Sequence, residues 1–143
     1  MFQVHQQQID LQTAGRGFHV LTGRVEEAVG QSGIRKGTAH LFLQHTSASL
    51  LLCENASPEV RQDMETLIAR LAPDGDPQYL HTLEGPDDMA AHFRTAVMGE
   101  SLLLPVVEGA LGLGRWQGIF LWEHRSYPQS RHMVLTVQGA GHG

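Results

Sequence analysis

His45, His81 and His92 are the side chains in this sequence whose settings suggest chemistry. Each stands beside small, polar or acidic residues rather than inside an apolar run. Three imidazoles with one open position form a known catalytic zinc arrangement. Spacing alone does not build such a site, because the chain has no His-x-His pair and no His-Glu-x-x-His motif. Taken singly, each histidine reads as a hydrogen-bonded structural or surface residue. Taken together, they are candidate ligands for a zinc-like divalent metal. Asp88 lies four residues before His92, one helical turn away, and is a candidate to orient that ring or to move a proton. The plainer reading of Asp88 is an acid favoured by the dipole at a helix start. Glu54 follows an apolar run and is a candidate general base; a carboxylate there also suits backbone donors in a turn.

Other chemistries find less support. There is no Gly-x-Ser-x-Gly elbow, no Walker loop and no dinucleotide fingerprint. Asp87-Asp88 alone is a weak magnesium signal. Glu123-His124-Arg125 at a strand end reads as a surface ion pair or an anion contact. The glycine-rich stretch Gly112 to Gly118 allows close backbone approach to a ligand, or is simply a bent strand.

The elements that must position these groups follow from periodicity. Residues 37–45 alternate, which puts Ala39, Leu41, Leu43 and His45 on one face of a strand. The small polar run Thr46-Ser47-Ala48-Ser49 bulges or breaks that strand before Leu50-Leu51-Leu52. Thr22 is a candidate cap for a short helix reaching about Gln31. Ser57-Pro58 signals a second helix, with Val60, Met64, Leu67, Ile68 and Leu71 at helical spacing. A third helix is expected from about Asp87 to Met98, closed by Gly99, with Met89, Phe93, Ala96 and Val97 as its buried face. The last third reads as strands over 101–107, 111–124 and 131–138, able to pair as a meander. This order implies an α+β fold with a mostly antiparallel β-sheet and two or three helices packed on one side.

Composition sets the outer limits. The 143 residues suit one domain, 1–143, with a real core. A net charge of −5 argues against a nucleic-acid surface, which needs clustered cations. Lys36 is the sole lysine. The single cysteine, Cys53, excludes an internal disulfide and reads as a buried, inert thiol among leucines. No apolar stretch reaches membrane-spanning length and no leader pattern opens the chain, so a cytoplasmic protein without a membrane role is expected.

Three ordered segments carry a resemblance: QHTSASLLLCENASPEVRQDME, HTLEGPDDMAAH and LGLGRWQGIFLWEHR. With them the chain resembles the YjbQ family, often labelled secondary thiamine-phosphate synthase, over nearly its whole length. The resemblance implies a homotrimer with sheets packed around its axis, and a histidine-lined pocket for a metal or for the phosphate of a small anionic metabolite. The histidines of that pocket are matched by His45, His81 and His92. The same resemblance marks Thr46, Ser47, Asn55, Trp116 and Gln117 as substrate-binding candidates, and Asp63 as the acid on the second helix. Arg115 stands where the family usually has threonine, and Ala90 where it often has proline. The activities to weigh are therefore thiamine-phosphate synthesis, metal-dependent phosphate-ester hydrolysis, and metabolite binding without turnover.

Overall fold

A computed structural model describes residues 1–141. Its strands fall into two antiparallel sheets. The larger holds β1 (Phe2–Gln12), β8 (Ser130–Gly141), β3 (Ile34–Leu43), β5 (Ser101–Val107) and β6 (Ala110–Leu111), in that spatial order. The smaller holds β2 (Gly17–Val20), β7 (Gln117–Glu123) and β4 (Ala48–Glu54). Among the described residues there are three helices: α1 (Thr22–Ser32), α2 (Pro58–Leu71) and α3 (Asp88–Met98).

The α+β class and antiparallel pairing agree with the sequence. The expected meander does not form. β5 pairs with β3 and β6, β7 joins the small sheet, and β8 lies between β1 and β3. The expected 111–124 strand splits, because Gly112 and Gly114 sit in a turn between β6 and β7. Thr46-Ser47 does break the strand, and the break lets β3 and β4 enter different sheets.

Burial explains the hydrophobic patterns. Alternate residues of the large sheet, among them Ala39, Leu41, Leu43, Leu135 and Val137, face Leu50, Ile119 and Leu121 of the small sheet. Helix α1 adds Val25, Ala28 and Val29 to this core. The other face of the small sheet carries Leu51, Phe120 and Trp122, packed with Ile68 and Met64 of α2. Both faces of β4 and β7 are thus covered, which is why their sequences are apolar runs rather than alternations. Cys53 is half-buried in this second cluster. Among the described residues nothing covers the outer face of the large sheet, and Phe2, Val4, Leu103 and Val107 are exposed there.

Helix α3 turns a different face inward from the one expected. Ala90, Ala91, Arg94 and Thr95 are buried, together with Asp88, whereas Phe93 and Val97 are about half exposed. Arg94 Nε and Nη2 donate to the Ala72 carbonyl at 3.2 and 2.8 Å, so its charge is held inside by hydrogen bonds that an apolar side chain cannot make. Helix α2 begins as expected at Pro58, but Ser57 makes no side-chain cap.

Gly37 of β3 faces Gly139 of β8 across the ladder. A Cβ on Gly37 would land on the Gln138 carbonyl. The Gly37→Ala variant is expected to lose at least about 2 kcal/mol of stability through forced separation of β3 from β8. Urea denaturation checks this against Gly30→Ala, whose Cβ meets nothing within 4 Å, and which is expected to be neutral or stabilising.

Candidate metal centre

The loop after α2 brings His81 back over the start of α3, where Asp88 and His92 are one turn apart. Asp88 Oδ2 lies 2.7 Å from His81 Nε2 and 3.0 Å from His92 Nε2. One ligand atom from each of the three residues lies within 4.8 Å of the other two. Asp88 is buried, while the side chains of His81 and His92 are 45% and 33% exposed, so the centre is rooted in the protein and open on one side.

Hydrogen bonds around the centre fix its orientation. His92 Nδ1 donates to the Thr46 carbonyl at 2.8 Å. Asp88 Oδ1 is held by Arg125 Nη1 at 2.9 Å. Arg125 also bonds Asp87 Oδ2 through Nε at 3.0 Å and the Glu84 carbonyl through Nη2 at 2.9 Å. Burial pushes the Asp87 carboxyl upward, but the Ser126 amide and the Arg125 guanidinium outweigh it and bring its pKa down to about 2. For Asp88 burial again acts upward; the bond to His81 and the charges of His92 and Arg125 prevail and lower it. Both carboxylates are therefore ionised at neutral pH.

Of the three histidines read from the sequence, two meet here. The third position is taken by Asp88, which contacts both rings directly rather than standing behind one of them. His45 is not in the cluster. Its Nε2 accepts the His132 amide at 2.9 Å, and Arg131 Nη1 lies 3.2 Å from its Nδ1. Burial, then the charges of Arg131 and His132, hold His45 below its ordinary pKa.

His45 does share a groove with His92. The groove has a volume of about 770 Å³ and runs between the end of β3 and α3. Thr46 lines it, whereas Ser47 is buried and accepts from Arg131 Nη2 at 2.9 Å.

The remaining candidates lie elsewhere. Glu54 accepts the Ala56 and Ser57 amides at 2.8 and 2.9 Å, so its carboxylate closes the turn into α2 instead of facing the histidines. Asn55, Trp116 and Gln117 cluster at that same end, where the Asn55 amide donates to the Trp116 carbonyl and Gln117 Oε1 accepts the Gly114 amide. Arg115 lays its guanidinium 4.7 Å from the centre of the Trp116 ring. β4 pairs Glu54 with Gln117 at this end and Ala48 with Glu123 at the other. Six residues of strand, about 20 Å, separate the two ends.

Glu123-His124-Arg125 is not a surface pair. Glu123 and His124 are fully buried. Arg131, which the sequence reading missed, pairs with Glu123. Its only signal was a charge at an inward position of an alternating strand.

The fold and site define a two-sheet α+β protein with a candidate centre of two histidines and one carboxylate. The chain belongs to the UPF0047 family: the model of the UPF0047 protein YjbQ-like family matches residues 7–140. It is 42% identical over 138 residues to a UPF0047 protein of Synechocystis, covering 96% of this chain and 94% of that one. It is 43% identical over 136 residues to the UPF0047 protein YjbQ of Escherichia coli O157:H7, covering 94% and 98%. Among solved structures, a YbjQ-like protein of unknown function from Sulfolobus solfataricus matches with a TM-score of 0.90 at 27% identity, covering 98% of this chain and 100% of that one.

His124 provides a pH test of the buried surroundings. Burial, then the charges of Arg94, Arg16 and Arg131, push its pKa down to about 3, against an ordinary 6.5. The folded state thus refuses a proton that the unfolded chain accepts. Stability from this group is complete above about pH 6.5 and drains as pH falls toward 3, by at most about 1.4 kcal/mol per pH unit. Urea titrations between pH 7 and 4 are expected to follow that slope in the intact protein, with a shallower slope in His124→Gln.

Proposed function

We propose that His81, Asp88 and His92 bind a divalent, zinc-like cation and that the centre hydrolyses a phosphate ester. The observation that carries the metal is the convergence of His81, Asp88 and His92, whose ligand atoms lie within 4.8 Å of one another with both rings partly open to solvent. His92 Nδ1 is committed to the Thr46 carbonyl, so Nε2 is the nitrogen turned toward the Asp88 oxygen 3.0 Å away. A ligating histidine that donates its other nitrogen to a backbone carbonyl is the usual support for a metal. Two imidazoles and a carboxylate, with an open side, match catalytic zinc.

The local charge favours an anionic substrate. Asp87, Asp88 and Arg125 leave the centre with one net negative charge, and a divalent ion converts it to one positive. Arg125 keeps Asp88 ionised through Oδ1 and leaves Oδ2 for the cation. A bound cation there would polarise a water or a phosphoryl oxygen. Hydrolysis joins the water oxygen to phosphorus, breaks the bond to the ester oxygen, and returns a proton to the departing alcohol. Thiamine-phosphate synthesis ranks lower, because expelling pyrophosphate calls for free cations and Arg125 is already shared by Asp87, Asp88 and the Glu84 carbonyl. A binding role without turnover is separated by assay: bound phosphate with no hydrolysis would select it.

The proposed setting is a cytoplasmic homotrimer. The exposed Phe2, Val4, Leu103 and Val107 among the polar residues on the outer face of the large sheet support self-association. Leu103, 70% exposed on that face, is a suitable probe. Leu103→Glu is expected to shift sedimentation from trimer toward monomer; an unaltered profile counts against this face.

Elemental analysis after purification without chelator is expected to find about one metal per chain. His81→Ala and Asp88→Asn are each expected to weaken its retention by more than the roughly 10- to 100-fold cost of losing an outer hydrogen-bond partner. His45→Ala is expected to retain it. A metal-free protein that takes up no zinc on titration would refute the proposal.

A further inference from the structure

We infer that the substrate is a phosphodiester, and that the two arms its phosphate joins are uncharged and hydroxylated. The inference rests on the hydrolase reading above and deepens it to a substrate class.

The candidate centre opens on two cavities, each through a different histidine. The groove between β3 and α3 has His92 in its wall. A second cavity, of about 360 Å³, lies in the loop between α2 and α3 and is lined by His81 with Asp76, Tyr79, Thr82 and Gly85. The two linings have no residue in common. The two rings nevertheless stand 5.4 Å apart, centre to centre, and both Nε2 atoms face Asp88 Oδ2. A phosphate on a cation held there has one cavity beside each imidazole. A monoester has one arm and uses one cavity; a diester has two arms and uses both.

Charge selects the same class. A divalent ion with two neutral imidazoles, Asp87, Asp88 and Arg125 sums to one positive charge. A diester carries one negative charge and cancels it. A monoester carries nearly two at neutral pH. Arg125 is already spent on both aspartates and the Glu84 carbonyl. Among the described residues no lysine or arginine lines either cavity. Glu100 in the groove and Asp76 in the loop cavity are acids, so an anionic arm is repelled from both.

The polar groups describe the arms. Gln44, the Thr46 hydroxyl and the Glu100 carboxylate line the groove, and among the described residues no side chain engages them. The loop cavity offers the Thr82 hydroxyl and the second oxygen of Asp76, whose Oδ1 accepts the Gln78 amide at 2.9 Å. Tyr79 is fixed as a wall there by donating Oη to the Pro73 carbonyl at 2.8 Å. Hydroxyls both donate and accept, so they meet amide, hydroxyl and carboxylate alike. An apolar arm would strip these groups of water and return nothing.

Hydrolysis of such a substrate balances without a further reactant. The water oxygen joins phosphorus, the bond from phosphorus to one arm's oxygen breaks, and a water proton goes to that oxygen. One alcohol and one monoester leave. The monoester bears the second charge that the centre does not match, which favours its release.

The test uses the zinc-loaded full-length protein and three probes: glycerophosphoglycerol, methyl glycerol phosphate and glycerol 3-phosphate. Calorimetry reads binding and glycerol release reads turnover. The two-armed diester is expected to bind about tenfold tighter than the methyl diester, the gain from about one or two net hydrogen bonds. Both diesters are expected to bind more tightly than glycerol 3-phosphate and to release glycerol. Thr82 and Ala96 are exposed and lie outside the metal ligands. Thr82→Trp and Ala96→Trp each fill one cavity, and each is expected to bring the two-armed diester down to the affinity of the methyl diester. Preferential cleavage of glycerol 3-phosphate, equal affinity of the two diesters in the intact protein, or a two-armed advantage that survives either tryptophan overturns the inference and leaves the hydrolase reading standing. A protein that takes up zinc and releases glycerol from none of the three overturns both.

Discussion

A buried ion pair between Glu123 and Arg131 joins the two sheets at the end where the candidate centre stands. Glu123 ends β7 in the small sheet, and Arg131 opens β8 in the large one; both are almost wholly buried. Two charges inside a protein are tolerable only if their remaining hydrogen-bonding capacity is met. Here it is. Glu123 Oε1 takes Thr13 Oγ1 at 2.9 Å and Arg131 Nε at 2.8 Å, and Oε2 takes the Arg125 amide at 3.1 Å along with Arg131 Nη2. Arg131 Nη2 goes on to the Ser47 carbonyl and hydroxyl. The pair therefore fixes the 45–47 segment on one side and Arg125 on the other. The first supplies the Thr46 carbonyl that orients His92; the second grips Asp87 and Asp88. Removing one partner would leave the other charge buried alone, which usually costs about 3 to 5 kcal/mol, and the histidine centre would lose its support from both directions.

Helix α3 continues the same logic. Its inward face bears Asp88, which is matched, and Arg94, which is met at Nε and Nη2 while its buried Nη1 has no partner among the described residues. Arg94 is anchored to the Ala72 carbonyl at the end of α2, which fixes the helix relative to the loop that follows. That loop carries His81. The loop is stapled again by Arg16 to Asp74 at 2.8 Å and by Tyr79 Oη donating to the Pro73 carbonyl at 2.8 Å. Residues far apart in sequence thus converge because polar groups, not apolar ones, set the depth and rotation of this helix.

That is also where sequence reading succeeded and where it failed. Alternation in β3, the Pro58 start of α2, the break at Thr46-Ser47 and the antiparallel α+β class follow from local rules, and all were legible. His81 and His92 were legible only as part of a set of three with His45, because each sits among polar neighbours, and His45 lies outside the cluster. The face of α3 was not, since a hydrophobic period points to Phe93 and Val97, while the structure buries Arg94 through a carbonyl 22 residues away. Asp88 was noticed, but its place between two rings depends on the fold of residues 72–86, which no period encodes. The two-sheet division was hidden for a related reason. A strand covered on both faces and a strand covered on one differ in pattern, but the pattern does not say which partner each strand takes.

Glu54, Asn55, Trp116 and Gln117 raise a separate geometric problem. They lie at the opposite end of β4 and β7 from His92, about 20 Å along paired strands. β4 and β7 are hydrogen-bonded throughout and packed on both faces, so no hinge within one chain can close that distance. A small ligand held by His92 and Asp88 cannot touch Trp116 of the same chain. Glu54 at that end has its carboxylate engaged by two backbone amides, and Arg115 stacks on Trp116, so the end is structurally complete without a ligand. If both sets of residues serve one small substrate, they belong to two copies of the chain brought together. A single-chain site must be built from His81, Asp88, His92 and the groove along α3, because those are the groups that rigid strands leave within reach of one another.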